Sequence, residues 1–178
     1  MVQEKEALMR KSHGDGSFRP SQFAKLGKNV IFEKGVLVFH PENIEIADDV
    51  YIGHYSILKG YYRNKMVIGS GTWIGQQCFL HASGGITVGE NVGIGPAVKI
   101  LTSTHSLDEE DKPILHSAMN FAPVTLGKGC DIGTGSIILP GVSIGQGSQI
   151  GAGAVVTSSI EDFAVAAGNP AKIIRSRK

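Results

Sequence analysis

Cys78 and Cys130 are the only cysteines in 178 residues, too few for a disulfide-built fold. No window holds the ~18 consecutive apolar residues that a membrane span needs. The first residues, MVQEKEALMRK, alternate in charge and lack the apolar region of a signal peptide. Neither sign of charge is in excess: 17 Lys and Arg face 16 Asp and Glu, a net +1 that argues against a general nucleic-acid-binding surface. There is no strict Gly-X-Y period, which excludes collagen. With 7 Pro beside 24 Gly, the two together stay below the ~25–30% of a disordered low-complexity chain. What remains is the expectation of a soluble, cytoplasmic protein whose length fits one domain with a sizeable core. Its glycine, roughly twice the ~7% average, needs an explanation.

The glycines belong to a repeat. Apolar guide positions recur six residues apart: Leu26, Phe32, Val38; Ile46, Ile52, Leu58; Ile68, Ile74, Leu80; Val88, Ile94, Ile100; Leu126, Ile132, Ile138; Ile144, Ile150, Val156. They fall into threes, and extra residues enter only between threes, after Val38, Leu58, Leu80 and Ile100. The residue following the guide is Gly at Gly27, Gly53, Gly69, Gly75, Gly89, Gly95, Gly127, Gly133, Gly145 and Gly151, all in the first two rows. In the third row it is never Gly: Phe39, Lys59, His81, Leu101, Leu139, Thr157. The period is therefore eighteen, built from three unequal sixes.

A three-sided coil accounts for this. Each row supplies a short strand and a corner, and the guide points inward onto its equivalents in neighbouring coils. One coil cannot bury its apolar side alone, so the coils must stack. Glycine near the corners is expected to let the backbone turn sharply. The fourth residue after the guide is usually small or β-branched, as at Val50, Ser56, Thr72, Cys78, Val98, Cys130, Ser136 and Ala154, which reads as a crowded interior. Both cysteines are then small interior fillers.

An aliphatic guide, then Gly, then a small residue four after the guide, resembles the hexapeptide-repeat family, over about residues 26–160. The resemblance implies an all-β fold, a left-handed parallel β-helix forming a three-sided prism of about six coils. A long loop follows Ile100 and a C-terminal tail ends the chain. The organisation expected is an N-terminal lead over 1–25, with a short helix over Glu4–Lys11, the β-helix over 26–160 with an inserted loop at 103–123, and a tail over 161–178.

All four insertions follow a third row, so they project from one edge of the prism. They carry His40–Pro41, Tyr61-Tyr62-Arg63, the segment His81–Gly85 and the excursion Ser103–Pro123. Aligned loops on a regular scaffold read as a built surface. The excursion opens Ser103-Thr104-His105 and ends in APVTLGKG, which is similar to the sugar and xenobiotic acetyltransferase branch, that of galactoside and maltose acetyltransferases. The resemblance implies acetyl-CoA as co-substrate, no metal, and a homotrimer with its sites between subunits. It makes His105 the general base. An imidazole with a pKa near 6.5 can take a proton from an attacking hydroxyl or amine near neutral pH. Asp108, Glu109 and Glu110 are the sequence-near carboxylates that could orient it. His81, on the same edge one coil earlier, and His116, deep in the loop, are candidate contacts to a sugar-type acceptor. His54 reads as structural, and His13 and His40 as exposed.

The segments IGAGAVVTSS and AAGNPAKIIR resemble the family's last coils and terminal segment. The resemblance places Thr134 beside the thioester and Ala152 beside the pantetheine amides. Thr157, Lys172 and Arg175 would meet the adenosine 3′-phosphate, with Arg177 and Lys178 adding charge. Two residues depart from the family pattern: Ser158 stands where Lys is common, and Asp131 where Trp is common. The expected function is acetyl-CoA-dependent O-acetylation of a sugar-type acceptor by direct transfer. The alternative is N-acetylation of an amino sugar, possibly nucleotide-linked, in surface polysaccharide synthesis. Two remoter readings are a zinc hydratase, for which Gly53-His54 is present but Lys59 replaces the second His, and a non-catalytic assembly subunit.

Overall fold

In the computed structural model, which describes residues 12–107, 111 and 113–177, the guide residues stack in register along three parallel sheets. On the first side Leu26 pairs with Ile46, then Ile68, Val88, Leu126 and Ile144 follow in turn. Phe32, Ile52, Ile74, Ile94, Ile132 and Ile150 do the same on the second side. Val38, Leu58, Leu80, Ile100, Ile138 and Val156 do so on the third. The chain is thus an all-β parallel β-helix, consistent with the left-handed β-helix that the resemblance implies. Among the described residues no helix is long and apolar enough to cross a membrane.

Six coils are complete and a seventh is partial. Ile160 bridges to Ile144, and Ala164–Gly168 joins the second-side sheet beside Gln149–Ile150. Ala171–Ser176 then folds back antiparallel on Ala164–Gly168 and ends that sheet. At the opposite end, Phe18 and Phe23 of the lead pack on Phe32, with ring centroids 4.8 Å and 5.6 Å from it. A solenoid's terminal coil has no neighbour on one side, and these rings cover it. The short helix expected over Glu4–Lys11 lies outside the described residues.

The glycines after the guides act differently from the expectation. None of them has a positive φ. A Cβ at Gly133 would lie 2.5 Å from the Ala152 nitrogen, and one at Gly69 would lie 2.5 Å from the Gly89 carbonyl carbon. These glycines let one coil's backbone lie directly on the next. The sharp turn is made two residues later. The third residue after every guide in the first two rows is left-handed, including Asn29, Asp49, Gln77, Asn91 and Ala97 beside Gly71 and Gly135. Asn, Asp and Gly tolerate that region best. Its N–H donates across the coils, as Gly135 does to the Pro96 carbonyl at 2.8 Å and Gly153 to Thr134 at 2.8 Å.

The small interior residues also carry a polar task. Ser56 donates to the Gly75 carbonyl at 2.9 Å, Thr72 to Gly89 at 3.1 Å, and Ser136 to Gly151 at 3.0 Å. The Cys78 thiol lies 3.2 Å from the Gly95 carbonyl. Each satisfies a carbonyl that the next coil turns inward at its corner, where an unpaired group would cost stability. The long excursion leaves after Thr102 as a hairpin outside the prism, with Ser103–His105 antiparallel to Met119–Phe121. The Ala122 N–H returns to the Thr102 carbonyl at 3.0 Å and closes its base.

Candidate active site

His105 ends the outgoing strand of this hairpin, opposite Met119. Its Nδ1 is buried and has no hydrogen-bond partner among the described residues. Asp108, Glu109 and Glu110, the carboxylates offered by the sequence for orienting it, lie outside those residues. The chain then folds back, with the Ser106 N–H donating to the Ala118 carbonyl at 2.7 Å. His116 lies on the exposed turn Ile114–His116.

His81 sits one coil below the strand that leads to His105, paired with Leu101. It is half-buried, and a hydroxyl pair beneath it sets its proton. Thr102 Oγ1 donates to the His81 carbonyl at 2.6 Å and accepts from the Gly84 N–H at 2.8 Å. Ser83 Oγ lies 3.3 Å from Thr102 Oγ1 and 3.3 Å from His81 Nδ1. Thr102 has one proton and commits it to the carbonyl, so Ser83 is the donor in their contact. In that arrangement Ser83 Oγ accepts from His81 Nδ1–H, which leaves Nε2 as the ring's acceptor. Burial, with help from the Lys59 and His13 charges, pushes the His81 pKa below its usual value and keeps the ring neutral near pH 7.

Sequence reasoning missed the cluster below His81. Tyr61, from the second insertion, packs its ring 5.6 Å from His81, 6.2 Å from His40 and 6.3 Å from His13. His40, expected to be exposed, is half-buried there, because the lead brings His13 to within 5.9 Å of it. His54 pairs with Glu33 at 3.2 Å on another corner.

The residues expected to hold CoA lie elsewhere on the prism. Thr134 and Ala152 occupy equivalent corner positions in adjacent coils, between the second and third sides. Both are exposed, and neither backbone N–H has a partner among the described residues. His81 and His105 belong to the other margin of the third side. One chain therefore does not bring His105 and Thr134 together. Thr157 is exposed at the end of the sixth coil's third row, and Ser158 beside it is exposed too. Lys172 and Arg175 lie exposed on the terminal strand Ala171–Ser176, opposite Ala167 and Val165. Asp131 projects from the second side, where Gln149 Nε2 donates to it at 3.3 Å. Its carboxylate fills the space left by Gly93, and an indole appears two coils earlier in the same column, at Trp73. Burial raises the thiol pKa of Cys78 to about 11 and that of Cys130 to about 12, so neither is a nucleophile near neutral pH.

Comparison with known proteins places this geometry. Residues 123–158 match the model of a hexapeptide repeat of succinyl-transferase. A Dictyostelium discoideum protein named for acetyltransferase activity is 50% identical over 91 residues, 51% of this chain. That match spans about half of the relative's own length, 46%. The galactoside O-acetyltransferase of Escherichia coli is 29% identical across 98% of this chain and 69% of its own. A solved structure of a mutant of AntD, an N-acyltransferase from Bacillus cereus in complex with dTDP and coenzyme A, superimposes with a TM-score of 0.80. It is 29% identical and covers 89% of this chain and 86% of its own.

Proposed function

Since the chain carries the hexapeptide repeat and is similar along most of its length to acetyl- and acyltransferases built on it, we propose that it transfers an acetyl group from acetyl-CoA to a hydroxyl of a sugar-type acceptor. The observation that carries this reading is His105, an imidazole with a buried, unpartnered Nδ1 at the start of the long excursion. In this reading His105 takes the acceptor's proton as the oxygen attacks the thioester carbonyl. The carbon–sulfur bond then breaks, the thiolate regains a proton, and an acetyl ester leaves with CoA. Thr134, through its exposed N–H, holds the developing oxyanion. The buried, high-pKa thiols favour direct transfer over an acyl-enzyme.

The small corner at Thr134 and Ala152 suits a pantetheine chain, since two unpartnered N–H groups about one strand spacing, ~4.8 Å, apart can meet its amides. Lys172 and Arg175, with Thr157, supply charge and a hydroxyl for the adenosine 3′-phosphate. His81 presents its Nε2 lone pair to the acceptor, and His116 contacts it from the loop. The placement of His105 and Thr134 at opposite margins of one side favours a homotrimer whose sites combine margins of two subunits. Acetyl-CoA supply makes the cytoplasm the proposed location. A second reading, transfer to an amine of a nucleotide-linked amino sugar, is favoured by the likeness to AntD, and the same base serves it.

The test is release of free CoA thiol across a panel of sugar, amino-sugar and nucleotide-sugar acceptors. His105→Ala should lower turnover ~10²–10⁴-fold while leaving CoA affinity and oligomer size unchanged. Near-wild-type turnover in that variant would remove His105 from the mechanism.

A further inference from the structure

Below His81, the insertion edge carries a feature that acetyl transfer itself does not require. Tyr61 and Tyr62 stand side by side with ring centroids 5.2 Å apart, and Tyr62 is 66% exposed. Arg63 lies over the Tyr62 ring at 5.4 Å. Lys59 Nζ lies 5.8 Å from the Tyr61 ring and 6.0 Å from Phe39. Among the described residues neither Lys59 nor Arg63 has a carboxylate partner, whereas Lys65 nearby is paired with Glu45 at 2.6 Å. An exposed ring, Tyr62, and a half-buried one, Tyr61, beside unneutralised cations suit a ligand that is both flat and anionic.

The electrostatics point the same way. Lys59 lowers the pKa of His13, with burial and His40 adding to it, and Lys59 also contributes to the lowering at His81. The edge is held at positive potential, which disfavours further cations and favours phosphate. Length narrows the ligand further. Phe39, Lys59, His81 and Leu101 are register partners in four successive coils, and His105 leaves from the last. Three coil spacings make about 14 Å from His40 to the base of the His105 strand. A free monosaccharide at His81 would leave the tyrosines and cations unused. A sugar carried on a diphosphate and a base would reach from His81 over the neighbouring tyrosines and cations.

We propose that Tyr61, Tyr62, Lys59 and Arg63 form the platform for a nucleoside-diphosphate sugar, with the base on the tyrosines, the diphosphate at Lys59 and Arg63, and the sugar at His81. This rests on the reading that the same edge holds the acceptor, and it names that acceptor's class and the residues that grip its carrier.

The experiment is calorimetric titration of the full chain saturated with CoA, so that an added nucleotide cannot enter the CoA site. UDP or dTDP is expected to bind, with affinity falling as salt rises. Inorganic pyrophosphate should bind at least tenfold more weakly, and uncharged glucose more weakly again. Tyr62→Ala should weaken the nucleotide at least fivefold and leave pyrophosphate unchanged, because stacking serves only the base. Lys59→Gln combined with Arg63→Gln should weaken both at least tenfold. CoA affinity, unchanged in every variant, reports that the fold is intact. Wild-type protein that binds CoA but neither nucleotide overturns the platform, as do variants that bind nucleotide as well as wild type. Pyrophosphate binding as tightly as UDP overturns the base-stacking assignment. Failure to bind CoA at the outset overturns the acetyltransferase reading instead, so the two are tested separately.

Discussion

Replacing Thr102 by Val should loosen the third-side edge and free the His81 ring in one step. Thr102 is completely buried, and Val matches its shape. Its hydroxyl is the partner of two backbone groups, the His81 carbonyl at 2.6 Å and the Gly84 N–H at 2.8 Å. Val leaves both unpaired. An unsatisfied buried group costs about 1–3 kcal/mol. Both sites are only partly buried, so the lower half of that range, about 1–2 kcal/mol, applies to each and the sum is about 2–4 kcal/mol. Thr102→Ser keeps the hydroxyl and removes one methyl, which costs about 1 kcal/mol by transfer and cavity terms. The comparison of Val with Ser therefore isolates the hydroxyl. Urea unfolding at fixed protein concentration reads the difference, and acceptor KM reads the consequence at His81, whose tautomer loses its determinant. If the Val variant is no less stable than the Ser variant, the hydroxyl is not the keystone of this edge and the argument for the His81 proton fails with it.

Three further outcomes follow from the coordinates. Gly133→Ala should destabilise more than Gly135→Ala, measured as thermal midpoints, since a Cβ at Gly133 meets Ala152 backbone at 2.5 Å while Gly135, at φ +71, has open space and only conformational strain. Because the folded state lowers the His81 pKa, the unfolded chain takes up a proton first as pH falls through about 6.5. Stability should therefore drop below that pH and level off under the folded pKa, and His81→Gln should flatten the drop in urea titrations at successive pH values. Cys78 and Cys130 should both resist a thiol reagent at pH 8 in the native protein and react in urea, because burial holds them at about 11 and about 12.

Much of the fold was legible because stacking imposes its own period. A residue that points inward must meet its equivalent one coil away, so Ile46, Ile68 and Val88 must recur in phase, and they pair as the period requires. The purpose of the glycines was not legible. Gly at the position after the guide looks like a turn residue until the next coil's backbone is placed against it. The turn itself lies two residues later, where Gly, Asn and Asp recur, as at Asn29, Gly71, Asn91 and Gly135, and Tyr55, Gln77 and Ala97 interrupt that signal. The task of Ser56 and Ser136 was hidden for the same reason: smallness shows in the sequence, but the carbonyl each one satisfies belongs to another coil. At the candidate site, the place of His105 at the mouth of the excursion was legible, and its role as base came from the resemblance. The Tyr61 cluster was not, because His13, His40 and His81 lie far apart along the chain and converge only when coils stack and the lead folds over the edge.

Sequence alone determined the period, the three sides, the inward positions and the edge that takes the insertions, since each is a consequence of spacing along one chain. Tertiary structure decided which groups face one another across coils. It set the Thr102–Ser83–His81 hydrogen bonds, gathered the rings and cations below His81, and put His105 and Thr134 at opposite margins of one side. These depend on distances between coils and on the return of loops to the prism, and no local spacing encodes them.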